Sequence, residues 1–323
     1  MDSFSRFTEH SGMKWVPGFV ALSAIWGSSF ALIKVGVDAG VGPVWVAFWR
    51  CFFGAAALLA VCAVTRTGLP RDLKAWGHAA VVAALLNAVP FVLLAYGETR
   101  VSSIVAGVFN ATTPLATLAF ALALVPGERP TAPRLLGLAA GFAGVLVMLG
   151  VWRLPEGGEL AGNLACVGST ICYGAGFAYT RRFFSGRSES AAALSALQIG
   201  CATLELAVVL PFAGAPHWPG PYAAAALVAL GALGTGLAYI LNLGVIRAAG
   251  PTVASTVTYV TPLWSTVIGS ALLAEPLGWR TVAGGLLVAG GVVLTRRRAP
   301  VTAGTTPRSD RAPSRSPTRP PAR

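Results

Sequence analysis

Long apolar stretches separated by short polar breaks occupy almost the whole chain. Each stretch has about 20 mostly apolar residues, the length that a helix needs to cross the hydrocarbon core of a bilayer. Because so little remains between these stretches, we predict an all-α integral membrane protein with no soluble domain. The predicted membrane spans are residues 16–37, 43–64, 76–97, 102–125, 134–152, 160–181, 191–213, 221–246, 251–273 and 279–295.

Composition supports the membrane class, since hydrophobic residues make up 55% of the chain and charged residues 11%, against about a quarter charged in soluble domains. The net charge of +12 is concentrated at the C-terminus, where residues 296–323 hold eight arginines, one aspartate and six prolines. We predict that this segment is a disordered basic tail near anionic lipid headgroups, with membrane lipids and no nucleic acid as partners.

The basic residues of the loops predict the orientation. Loops on the side of the N-terminus carry nine Lys and Arg residues, and loops on the other side carry three. Because loops retained in the cytoplasm carry the excess, residues 1–15 and the C-terminal tail are both predicted to be cytoplasmic. The predicted location is the bacterial inner membrane.

Two halves of the chain repeat one another. The segment WGSSFALIK from Trp26 recurs as YGAGFAYTR from Tyr173, 147 residues later, and a Thr-Pro-Leu triplet starts at Thr113 and again at Thr261. The predicted repeats are residues 16–152 and 160–295, each with five helices. Because five is odd, the second repeat enters the membrane from the opposite side, an arrangement typical of alternating-access transporters.

These motifs resemble a known family, the drug/metabolite transporter superfamily and in particular its ten-helix EamA branch. The resemblance implies a basket of two five-helix repeats, cytoplasmic termini and export of amino acids or related metabolites. The second half departs from the first at Tyr173 and Gln198, which replace a tryptophan and an arginine. The motifs that carry the resemblance are Trp26 to Phe30, Arg50, the block of Pro114 and Glu128, and its second copy at Pro262 and Glu275.

Two ionisable residues are predicted to lie deep in the membrane. Arg50 is about 14 Å, and Glu205 about 12 Å, from the predicted outer ends of their helices, at 1.5 Å per residue. Such charges face the protein interior or water. Arg50 is either a structural bridge between helices or a substrate contact, and Glu205 is either its ion-pair partner or an acid that carries coupling protons.

Polar positions matched by the repeat are the candidates for substrate contact. Asn87 corresponds to Thr235 and Asn110 to Thr258, each pair 148 residues apart, and both pairs should approach the pseudo-two-fold axis. Helix–helix hydrogen bonding would also explain them. Aromatic candidates for the same cavity, which can equally be packing residues, are Trp26, Tyr96, Tyr173, Tyr239 and Tyr259.

The predicted function is a secondary transporter that exports small polar metabolites, with amino acids or their derivatives first, and with protons as the candidate coupling ion. Cysteine and histidine spacings indicate no metal site, and no catalytic or nucleotide-binding motif indicates an enzyme or a cofactor. A sugar-phosphate or nucleotide-sugar exchanger of the same superfamily is the alternative transporter, but it would need several converging cations. A non-transporting membrane sensor or assembly protein is the alternative from another class.

Overall fold

A computed structural model describes residues 15–124, 131–150, 152, 158–184, 189–249 and 257–295. Residues 1–14 of the predicted N-terminal segment, the basic tail and Glu128 lie outside the described residues, as does the predicted start of span 251–273. The first half has helices α1 (Val16–Asp38), α2 (Pro43–Val64), α3 (Leu73–Glu98), α4 in two pieces (α4a, Ser103–Asn110, and α4b, Thr113–Leu124) and α5 (Ala132–Leu149). The second half has α6 (Glu159–Tyr179), α7 (Ala191–Val209), α8 (Gly220–Gly231, continuing through Ala238–Ala249), α9 (Val257–Leu272) and α10 (Trp279–Thr295).

These helices confirm the predicted fold class. Within the described ranges, eight helices are long and apolar enough to cross a membrane, and α10 contains a shorter apolar segment, Trp279–Leu294. Large apolar side chains face outwards from the bundle, including Phe142, Leu263 and Leu286, which are 65%, 66% and 70% exposed. Lipid is the environment in which such side chains are stable, so the protein is an all-α integral membrane protein.

Glycines bring α5 and α10 into close contact. A Cβ atom added to Gly144 would lie 2.7 Å from the carbonyl oxygen of Gly284, and one added to Gly291 would lie 2.6 Å from that of Gly137. Position 144 therefore faces 284 while 137 faces 291, so the two helices run antiparallel. The sequence repeat maps Gly137 onto Gly284 and Gly144 onto Gly291. It therefore maps the contact between 144 and 284 onto the contact between 137 and 291, as a local two-fold axis across the two helices requires.

A second pair of contacts follows the same relation. Gly27 of α1 packs on α9, where an added Cβ would lie 2.9 Å from the carbonyl oxygen of Thr261. Its repeat mate Gly174 of α6 packs on α4b, where an added Cβ would lie 2.9 Å from the amide nitrogen of Thr117. Each half therefore supplies a helix that packs against the other half, and the two repeats form one interlocked bundle.

Glu275, which follows α9, binds the beginning of α4a in the other repeat. Its carboxylate accepts hydrogen bonds from the Ser103 amide and hydroxyl, both at 2.8 Å, and from the Ile104 amide at 3.1 Å. A carboxylate is well placed there because the first amides of a helix lack partners within the helix and carry partial positive charge.

Irregularities in α3, α4 and α8 differ from the uniform spans expected from the sequence. Helix α4 breaks between Asn110 and Thr113, because Pro114 has no amide hydrogen and its ring would clash with the carbonyl of residue 110. Helices α3 and α8 each contain a π-helical turn, at Ala84–Ala88 and Ala232–Leu237. The starts of these two turns are 148 residues apart, so they occupy equivalent places in the two repeats.

Candidate functional site: a cavity between the two repeats

A cavity of about 250 Å³ lies between the halves, a volume equal to roughly eight waters of the bulk liquid. Residues of both repeats line it. Of the predicted site residues, the structure places the following in the wall: Trp26, Arg50, Asn110, Tyr173, Tyr239 and Thr258. Asn110 and Thr258 thus reach one cavity from opposite halves.

Arg50 is the cationic residue among the described lining residues, and it is 7% exposed. Its Nε atom donates a hydrogen bond to Thr235 Oγ1 at 3.2 Å, and its guanidinium lies 3.8 Å from the centre of the Phe91 ring. No ion pair to Arg50 is formed within the described part of the chain. The hydrogen bond and the ring fix the guanidinium and leave its positive charge available to the cavity.

The equivalent place in the second repeat holds a neutral network. Gln198, the repeat mate of Arg50, donates from Nε2 to Asn87 Oδ1 at 2.6 Å. Asn87 in turn donates from Nδ2 to the Tyr239 hydroxyl at 3.1 Å. Because this hydroxyl accepts that bond, its own proton can be donated towards the cavity that Tyr239 lines.

The two networks correspond residue by residue through the 148-residue offset. Arg50 and Thr235 of one network map onto Gln198 and Asn87 of the other, and both pairs are hydrogen-bonded. Thr235 and Asn87 each lie in a π-helical turn, an irregularity often found at functional sites. The two hydrogen-bonded pairs therefore occupy symmetric positions, but one carries a cation and the other an amide.

The break in α4 adds polar groups to the wall. Asn110 ends α4a, and Thr113 begins α4b and also lines the cavity. Thr113 is only 4% exposed, and its Oγ1 has no hydrogen-bond partner. Buried hydroxyls are normally bonded, so this one is available to a ligand, beside a helix N-terminus that favours negative charge.

The rest of the wall is largely aromatic. Rings from both repeats contribute flat apolar surface beside the polar groups described above, an arrangement common in small-molecule sites. The aromatic lining residues are Trp26, Phe30, Phe91, Tyr173, Phe177 and Tyr239.

Five predicted site residues lie outside the described lining. Thr235 and Asn87, which are 1% and 0% exposed, hold the lining residues Arg50 and Tyr239. Tyr96 lies under the guanidinium of Arg100, 5.0 Å from its ring centre, and Tyr259 packs against the cluster around Leu115.

Glu205 is the fifth predicted site residue outside the described lining. It forms no ion pair with Arg50 within the described chain. Its Oε2 atom is buried without a hydrogen-bond partner. Its role as a coupling acid stays a prediction.

Sequence reasoning did not assign Gln198, Asn242 or Thr113 to the cavity, although the structure places all three in its wall. It also missed Glu98, which lies one residue beyond the predicted span 76–97. In the structure Glu98 is the last residue of α3 and is 0% exposed. The repeat relation of Gln198 to Arg50 was the signal that could have identified Gln198.

Comparison with known proteins agrees with this architecture. The chain is 29% identical over 265 residues to the uncharacterized inner membrane transporter YedA of Escherichia coli K12, covering 80% of this chain and 82% of that protein. It is 25% identical over 295 residues to the aromatic amino acid exporter YddG of Salmonella typhimurium, covering 87% and 97% of the two chains. A crystal structure with 21% identity shares the fold, with a TM-score of 0.61, and covers 87% of this chain and 96% of that one.

The profile of the EamA-like transporter family matches residues 13–150 and again residues 160–297. The two matches together take in most of the chain. The protein therefore belongs to the EamA-like transporter family.

Proposed function

We propose that the protein exports small zwitterionic metabolites, amino acids first, by alternating access through the cavity between its repeats. The observation that carries this proposal is a cavity walled by both halves, whose described lining contains one cation, Arg50. Two halves related by an inverted repeat can exchange conformations, so that the cavity opens to one side of the membrane and then to the other.

The charge of the cavity supports a carboxylate over a phosphate. A sugar phosphate or nucleotide sugar would require several cations, whereas the described wall offers Arg50 alone. The Thr113 hydroxyl and the N-terminus of α4b lie in the same wall and can add hydrogen bonds to a carboxylate. The Tyr239 hydroxyl and the Asn110 amide supply further polar contacts.

The aromatic part of the wall supports an apolar or aromatic side chain on the substrate. Rings such as Trp26 and Phe177 can stack on an aromatic ligand with their centres 4.5–7 Å apart. The printed function of the Salmonella relative, export of aromatic amino acids, agrees with this chemistry. L-Phenylalanine is therefore the first compound to test.

We further propose the bacterial inner membrane as the location, with both termini cytoplasmic. The loop-charge bias and the odd number of helices per repeat support this orientation. Reporter fusions test it. A reporter that is active only in the periplasm should be inactive at Arg298 and active in the 214–220 loop, and the opposite pattern would contradict the proposed orientation.

Transport is tested with purified protein in liposomes loaded with radiolabelled L-phenylalanine, L-leucine or glucose 6-phosphate. We expect efflux of the amino acids above the rate of protein-free liposomes, and no efflux of the sugar phosphate. Efflux of glucose 6-phosphate alone would favour the exchanger. No protein-dependent flux of any amino acid would refute amino-acid export.

A further inference from the structure

Glu98 is a buried acid that the cavity does not explain. It ends α3 one helical turn beyond Leu94, which lines the cavity, and it is 0% exposed. Neither carboxyl oxygen has a hydrogen-bond partner. A carboxylate in such a place is very unfavourable when charged and unpaired.

The charged groups around Glu98 come from several packed elements. Lys34 and Asp38 belong to α1, Arg50 to α2, and Glu275 to the segment after α9. Glu275 is held by the beginning of α4a, and Arg50 by Thr235. The titratable Cys166 of α6 also lies close. None of these groups forms an ion pair with the Glu98 carboxylate within the described chain.

Lys34 is a cation that lies beside Glu98. Its Nζ atom donates to Asp38 Oδ1 at 2.7 Å and to the backbone carbonyl oxygen of Glu98 at 3.0 Å. Lys34 is thus anchored beside Glu98 but paired with the more exposed Asp38, whose side chain is 58% exposed. With its nearest cation engaged elsewhere, Glu98 is stable as the neutral acid in this state.

We propose that Glu98 binds and releases the proton that couples this transporter to the proton gradient. The inference rests on the proposed transport function and adds its coupling site. Glu98 takes up a proton at the predicted outer end of the bundle and is neutral in the state described. Movement of α1 against α3 then brings Lys34 from Asp38 to the carboxylate, and the proton leaves towards the cytoplasm as substrate moves outwards.

The first experiment uses the proton itself as the probe and needs no substrate. Infrared difference spectra of the purified protein are recorded during a pH titration for the wild type, Glu98→Gln and Glu205→Gln. We expect Glu98→Gln to lose a carboxylic-acid C=O component at neutral pH that Glu205→Gln retains. Glu98→Gln spectra that keep the full wild-type component, or a component that is lost only in Glu205→Gln, overturn the proposal.

The second experiment separates coupling from transport, with labelled L-phenylalanine in proteoliposomes. Counterflow at equal pH requires only the exchange of substrate across the membrane, whereas uptake into acid-loaded liposomes requires proton exit. Glu98→Gln should keep counterflow and lose the stimulation by the pH gradient. Glu159→Gln, the same substitution at a partly exposed glutamate that pairs with Arg280 at 3.5 Å, lies outside this switch and should keep the stimulation.

The two proposals fail in different ways. Absence of counterflow in the wild type refutes L-phenylalanine transport and leaves the infrared result on Glu98 standing. Normal counterflow together with an unchanged gradient stimulation in Glu98→Gln overturns the coupling site and leaves the transport proposal standing. Glutamine has the shape of the neutral acid, so the variant should fold like the wild type, which thermal melting checks.

Discussion

Replacement of Arg50 by glutamine tests the origin of substrate affinity. Glutamine can still donate a hydrogen bond to Thr235, so the contact between α2 and α8 is largely retained, while the cation is removed. The repeat provides a further variant, because Gln198 occupies the equivalent position. The double change Arg50→Gln with Gln198→Arg moves the charge across the cavity without altering its composition.

The magnitude follows from the contacts of Arg50. A hydrogen bond to a charged group contributes about 1.5–3 kcal/mol, which corresponds to a loss in affinity of about 10- to 150-fold for a carboxylate ligand. The hydrogen bond with Thr235 contributes only about 0.6 kcal/mol in a membrane protein. Stability should therefore change little, and removal of a buried unpaired charge acts in the opposite direction.

Affinity is measured by equilibrium binding of labelled L-phenylalanine to purified protein, and folding by thermal melting. Arg100→Gln is the control, because it makes the same substitution outside the cavity and should leave binding unchanged. The exchanged double variant should recover part of the affinity lost in Arg50→Gln. Wild-type affinity in folded Arg50→Gln protein would show that the cation serves the scaffold and not the substrate.

Three further tests use variants of the helix contacts and of the cavity wall. Gly144→Ala should lower the free energy of unfolding by about 1–3 kcal/mol, and with it the melting temperature, because the new methyl would lie 2.7 Å from the Gly284 carbonyl oxygen. Gly290→Ala is the control and should leave the melting temperature unchanged, because a methyl there meets nothing within 4 Å. Glu275→Gln should destabilise the protein by about 1 kcal/mol through a weaker cap on α4a, while the folded fraction still binds substrate; an unchanged melting curve would contradict the cap. Asn110→Ala and Thr258→Val should weaken L-phenylalanine binding in folded protein, and unchanged affinity in both would assign these residues to the scaffold.

Much of the fold could be predicted from the sequence, because membrane insertion imposes a simple rule. Apolar stretches of about 20 residues were sufficient to locate the helices, and the repeat predicted which glycines would be equivalent. What the pattern could not show was the depth of a residue at a helix end. Glu98 follows an apolar stretch and resembles an exposed boundary residue, yet the packing of α1 and α6 against α3 buries it.

The cavity was only partly predictable for a different reason. Repeat offsets identified Asn110 and Thr258 because both follow the symmetry, and Arg50 because a charge at that depth needs an explanation. Asn87 and Thr235 also follow the symmetry, but they lie behind the wall in π-helical turns. A π turn depends on tertiary packing and has no periodic signature in the apolar pattern, so the direction of these side chains could not be obtained from spacing.

The matching π turns carry information about ancestry. An irregularity at equivalent places in both halves is most simply explained by a single origin in one five-helix unit, two copies of which would form a symmetric homodimer. Such a dimer places every side chain in the cavity twice, so it presents two arginines or none, and its site is the same from either end. A single chain that contains both copies is free of that constraint. Arg50 and Gln198 can therefore differ, so the cavity has a cationic side and a neutral side, which a symmetric dimer could not have.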